Sequence, residues 1–96
     1  MITYEWDDRK NTANERKHGV GFFEATTVFD DPLAVSVPDA EHSVDEERWI
    51  TIGTSSRARL IVVVHVRELS HVADEVIRLV SARMATGRER KVYTEG

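Results

Sequence analysis

The sequence predicts an α+β fold: a mostly antiparallel sheet with two N-terminal helices and one C-terminal helix. Three observations carry this. The longest apolar run, Arg59-Leu-Ile-Val-Val-Val-His-Val-Arg67, is rich in β-branched residues, which favour a pleated, buried backbone. Strand-like runs flank it, joined by turn chemistry such as Gly53-Thr-Ser-Ser-Arg-Ala58. Thr86-Gly-Arg-Glu89 forms a capping box that opens a last helix. Two helices followed by strands in a meander place the chain in the α+β class.

The elements follow in order. Residues 2–6, Ile-Thr-Tyr-Glu-Trp, alternate as a short strand. Asp7 or Asp8 caps a helix that runs to His18, and Gly19 supplies a left-handed stop. Between Asp8 and His18 the only apolar residue is Ala13. That helix therefore has no core face of its own and must lean on Trp6, Val20 and Phe22. Residues 22–30 read as a second helix, with Phe22, Ala25, Thr26 and Phe29 on one buried face and Asp31-Pro32 as its stop. Leu33–Val37 is a short strand, followed by an acidic loop over 39–47. His42 in that loop fits no metal-binding spacing. Arg48–Thr54 forms a hairpin with the central strand. A longer connection over 68–74 holds His71, and Glu75–Arg83 is the last strand.

Within the central strand, Leu60, Val62, Val64 and Val66 make one wholly apolar face. The other face carries Ile61 and Val63 and ends in His65 and Arg67. A strand apolar on both faces is interior to its sheet. Its polar end is the first place to look for chemistry.

Composition bounds the function. A chain of 96 residues makes one domain, 1–96. It has no cysteine, so no disulfide framework and no thiolate zinc site. No apolar stretch approaches a membrane span and no signal-peptide core opens the chain, so a cytoplasmic protein is expected. The net charge of −4 hides basic stretches over 9–18 and 83–91. A local basic face binds phosphate whatever the total charge. Lys10, Asn14, Lys17 and His18 fall on one helix face suited to phosphate or to a protein partner.

A set of motifs in sequence order then resembles one family. It comprises Tyr4-Glu-Trp-Asp7 with Lys10, Asn14-x-x-Lys-His-Gly-Val20, Phe29-Asp-Asp-Pro-Leu33, Glu46-Glu-Arg48 and Ile52-Gly53. It continues with Leu60-x-Val-Val-Val-His65, Ile77-Arg-Leu-Val-Ser-Ala-Arg83 and Ala85-Thr-x-x-Glu89-x-x-x-Tyr93. Together they are similar to the BrnT toxins, with a departure in the longer 68–74 connection. The resemblance implies a RelE-like toxin fold and an endoribonuclease toxin of a type II toxin–antitoxin module that inhibits translation. It also implies a BrnA-like ribbon-helix-helix antitoxin, joined to the toxin in a heterotetramer.

Metal-independent RNA cleavage needs a base for the 2′-OH, an acid for the 5′-oxygen and cations for the phosphoryl charge. No cofactor or metal site is expected. Histidine suits proton transfer and arginine suits phosphate. The catalytic candidates are His65 and Arg83 at strand ends, with Glu89 and Tyr93 on the last helix. Glu89 is equally explained by the capping box. The phosphate-binding candidates are Lys10, Asn14, Lys17, His18, Arg78 and Arg88. Strand register decides whether Arg78 or Arg83 shares the His65 face. The competing reading is a non-catalytic module whose basic helices dock a protein or nucleic acid.

Overall fold

The computed structural model describes residues 1–43, 46–69 and 75–96. Strand β1 (Ile2–Glu5) leads into helices α1 (Asp8–His18) and α2 (Phe22–Thr26). Strands β2 (Val35–Pro38), β3 (Arg48–Thr54), β4 (Leu60–Leu69) and β5 (Glu75–Met84) follow, and helix α3 (Gly87–Glu95) closes the chain. His71 and most of the 68–74 connection lie outside the described residues.

The five strands form one sheet in the order β1-β5-β4-β3-β2. The meander from β2 to β5 is antiparallel, as the turn signals require. Strand β1, however, pairs parallel with β5, so the sheet is mixed. The helices between β1 and β2 carry the chain from one edge of the sheet to the other. Strand β4 is interior, paired along both sides.

The two faces bury different layers. Ile61 and Val63 of β4 and Ile77, Leu79 and Ala82 of β5 meet Val20, Phe22, Ala25 and Val28 beneath α1 and α2. Each of the larger buried side chains among these, such as Phe22, Ile61 and Leu79, contributes on the order of 1.5–3 kcal/mol. Ile52, Leu60 and Val62 form a smaller core on the other face, where Tyr93 of α3 and Ile50 cover it.

Simple alternation along β5 fails at one point. Val64 faces Ser81, but His65 faces Leu79, so Val80 has no partner opposite it. This bulge inverts the parity of everything beyond it. Ala82 thus joins Ile77 and Leu79 on the α1–α2 face, and Arg83, opposite Val62, turns to the α3 face. Arg78 is opposite Val66 and also faces away from His65. Neither arginine shares the His65 face.

Strand β4 runs to Leu69, two residues into the expected 68–74 connection, because Glu68 and Leu69 continue its pairing with Val76 and Glu75. Two further boundaries differ from expectation for local reasons. The second helix is α-helical only to Thr26 and continues as a 3-10 turn over Thr27–Asp30. Its β-branched residues Thr26, Thr27 and Val28 favour helix poorly, and the Thr26 and Thr27 hydroxyls donate to Phe23 and Glu24 carbonyls at 2.7 and 2.6 Å. Strand β2 starts two residues late because Asp31 holds a turn: its carboxylate accepts from the Leu33 N–H at 2.9 Å and its carbonyl from the Ala34 N–H at 3.1 Å.

Helix α1 is held by polar groups, in keeping with its lack of apolar residues. The Asp7 carboxylate accepts from the N–H groups of Arg9 and Lys10 at 2.8 and 3.2 Å, and Gly19 ends the helix at φ 71°. Asn11 Oδ1 accepts from the Phe22 N–H at 2.8 Å. Asn14 is buried and reaches the sheet. Its amide donates to the carbonyls of Val20 (2.9 Å) and Ala82 (2.7 Å), and its oxygen accepts from the Ala82 N–H (3.2 Å). Asn14→Leu removes all three bonds and leaves buried backbone groups unpaired. It should therefore cost about 2–4 kcal/mol in chemical denaturation, and a loss under about 0.5 kcal/mol would show that water replaces the amide.

Candidate functional site

The hairpin turn sets the site. Thr54 pairs with Leu60, which places Trp49 opposite His65 and Thr51 opposite Val63. On β5, Ile77 lies opposite Arg67, and Glu75 is two residues along on the same face. The side chains of Trp49, Thr51, Val63, His65, Arg67, Glu75 and Ile77 point to the α1–α2 side of the sheet. The helices leave that end of the sheet uncovered, and a cleft of about 150 Å³ opens there. Ile2, Phe29, Ser36, Trp49, His65, Arg67, Glu75 and Ile77 line it.

His65 is the centre of this cleft. It is 2% exposed, and Phe29 meets its ring edge-to-face at 4.8 Å. Its Nε2 bonds the Thr51 hydroxyl at 2.8 Å, and Thr51 in turn bonds the Ser36 hydroxyl at 2.7 Å. Its Nδ1 has no partner among the described residues, nor has the Trp49 indole N–H. Arg67 is ion-paired to Glu75 and sits over the Trp49 ring at 5.9 Å. Burial, and then the Arg67 charge, lower the His65 pKa to about 4, with Glu75 opposing in part. The imidazole is therefore neutral at pH 7 and can accept a proton.

The other candidates do not join it. Arg83 makes a two-pronged bond to Glu89 at 2.7 and 2.8 Å on the α3 face. Glu89 also accepts from the Thr86 N–H at 2.9 Å and closes the capping box. Hydrogen bonding to Arg83, first among several causes, holds its carboxyl down at about 2. The Tyr93 hydroxyl donates to Asp31 at 2.7 Å and accepts from Thr54 at 3.1 Å. Bonds from the Thr54 N–H and Tyr93 keep the Asp31 carboxyl below its ordinary value. The expected meeting of His65 with Arg83, Glu89 and Tyr93 does not occur, because the β5 bulge puts the sheet between them.

The phosphate candidates also separate. Lys10 and Lys17 are exposed on α1 and Arg88 is exposed on α3, while His18 is half-buried. Asn14 is spent on the helix–sheet junction, and Arg78 is paired with Glu46 at 2.5 Å. His42 bonds Asp39 at the loop. Among the described residues no three His, Asp or Glu side chains converge as a metal site, and no helix is long and apolar enough to cross a membrane.

Sequence reasoning missed Trp49, Thr51, Ser36 and Glu75, and noted Arg67 only as part of a polar strand end. The hairpin could have supplied Trp49 and Thr51, since the turn over 55–59 fixes every pair along β3 and β4.

The His65 environment makes a prediction about pH. Folding lowers this pKa, so the unfolded chain binds more protons between about 6.5 and 4. Stability is complete above that window and falls as pH drops through it, by roughly 3 kcal/mol at most. Urea denaturation at pH 7.5 and pH 4.5 should show this loss, and His65→Gln should flatten it. An equally steep loss in the variant would assign the effect to other groups.

The comparisons with known proteins agree with this architecture. The family model for the ribonuclease toxin BrnT of type II toxin–antitoxin systems matches residues 6–89. The fold is similar to that of the Brucella abortus ribonuclease toxin BrnT, known from a 1.1 Å crystal structure, with a TM-score of 0.65. Identity there is 22%, over 90% of this chain and 99% of that one. No curated protein matches the sequence. Because the family match runs through the helices, the whole meander and the start of α3, the chain belongs to the BrnT family, the ribonuclease toxins of type II toxin–antitoxin systems.

Proposed function

We propose that this protein is an endoribonuclease that cuts RNA by metal-independent acid–base chemistry in the His65 cleft, and so inhibits translation. The observation that carries the assignment is the juxtaposition in one cleft of a neutral imidazole, a guanidinium and an indole. His65 accepts the proton of a ribose 2′-OH, whose oxygen attacks the adjacent phosphorus as the 5′-oxygen leaves. Arg67, held by Glu75, meets the charge that grows on the phosphoryl oxygens. Trp49 offers a face on which a splayed base can stack.

Arg83, Glu89 and Tyr93 then serve α3 and not the reaction. Lys10, Lys17 and His18 on α1, with Arg88 on α3, remain for the RNA backbone or for an acidic segment of the antitoxin. In this reading the antitoxin is a BrnA-like ribbon-helix-helix protein, the complex is a heterotetramer, the fold is RelE-like and the toxin acts in the cytoplasm.

Purified variants and growth arrest together test the assignment. Arg67→Ala and His65→Gln should lower RNA cleavage about 10²–10⁴-fold while still binding the antitoxin. Arg83→Ala should lower the melting temperature and leave cleavage within a few-fold of the parent. A chelator should leave cleavage unchanged. Full activity in Arg67→Ala, with loss in Arg83→Ala, would move the site to the α3 face. Tight RNA binding with no cleavage by the parent would make the protein a binding module.

A further inference from the structure

His65 is 2% exposed at the floor of its cleft, and one line of hydrogen bonds leads from it to the surface on the sheet edge. Thr51, 1% exposed, takes the imidazole Nε2 at 2.8 Å and the Ser36 hydroxyl at 2.7 Å. Ser36 itself is exposed on the edge strand β2. Register builds this line. Ser36 is directly opposite Thr51, and Thr51 is the diagonal neighbour of His65, two residues along from Trp49. Diagonal neighbours on one sheet face lie within reach of each other. Every member can both donate and accept, so the line can reverse its direction as a unit.

We infer that Ser36 and Thr51 form a proton relay that lets buried His65 change tautomer, and that Thr51 is a positioning residue for the proton transfer at Nδ1. The inference rests on the cleft reading above for the reaction it serves, but the relay itself is a property of these three side chains. A proton arriving from the cleft forms an Nδ1–H bond. The Nε2–H bond breaks and its proton passes to Thr51 Oγ1. The Thr51 hydroxyl proton moves to Ser36 Oγ, and the Ser36 hydroxyl proton goes to water. One proton leaves the cleft, one enters water, and the imidazole stays neutral throughout.

The burial of His65 gives the relay its purpose. A buried ring with Phe29 edge-on against it, with the Arg67 cation nearby and only Glu75 to oppose it, is a poor place for an imidazolium. Concerted loss of the Nε2 proton avoids that cation. A hydrogen-bonded threonine with no path onward would fix one tautomer and prevent the change.

Exchange of the His65 ring N–H with water, measured by NMR on the whole protein, tests the relay without any substrate. Exchange should be several-fold slower in Ser36→Ala, whose altered side chain is exposed and whose melting temperature should not move. Thr51→Val should slow it further, and Thr51→Ser should restore it. In the cleavage assay Ser36→Ala and Thr51→Val should lower kcat and leave KM unchanged, Thr51→Ser should keep kcat near the parent, and the dependence of kcat on deuterium content should be curved in the parent and linear in Ser36→Ala. Unaltered ring exchange in folded Ser36→Ala would overturn the relay. Slowed exchange in a protein that cuts no RNA would keep the relay and overturn only the ribonuclease reading.

Discussion

One unpaired residue decides how this molecule is divided. Val80 stands opposite no residue of β4, and the strand beyond it is rotated by one position. Without that bulge, Arg83 would share a face with Leu79 and therefore with His65. With it, Ala82 enters the main core against Phe22 and Ala25, and Arg83 is handed to α3. The same irregularity places the Ala82 backbone where Asn14 can bond it on both sides, which ties α1 to the sheet. The sheet thus separates a cleft built on β3, β4 and the start of β5 from a helix anchor built on the end of β5.

The chemistry of each side follows from that division. On the α3 face, Arg83 is bonded to Glu89, Glu89 to its own helix start, and Tyr93 to Asp31 and Thr54. Such bonds hold α3 in place against the sheet. In the cleft, two buried nitrogens, on His65 and Trp49, have no partner among the described residues. Unpaired buried polar atoms are costly to a fold, so they mark places where something other than folding sets the residue.

Most of the architecture was legible in the sequence because it rests on local signals. Capping residues, Gly19, the β-branched run over 60–66 and the Thr86 capping box each act within a few residues, and each element they predict is present. The ends of α2 and the start of β2 were misjudged where threonine hydroxyls and the Asp31 carboxylate compete with regular backbone bonding. The parallel seating of β1 beside β5 has no local signal, since β1 is only four residues long and its partner is remote in sequence. The site was half legible. His65 was visible as a polar group closing an apolar strand. Its separation from Arg83 was not, because a bulge changes parity without changing composition. Asn14 looked like part of a basic surface because its neighbours at helical spacing are lysines and histidine, whereas its small amide is the one that fits beneath the helix.

The central claim is that RNA meets the protein on the His65 side of the sheet. NMR titration with a short RNA whose 2′-hydroxyls are replaced by 2′-O-methyl groups, and which cannot be cut, addresses it directly. Resonances of Trp49, His65 and Arg67 should shift together and saturate with one affinity, while those of Arg83, Glu89 and Tyr93 stay in place. Shifts confined to the α3 residues, with the Trp49 indole N–H unmoved, would contradict the account.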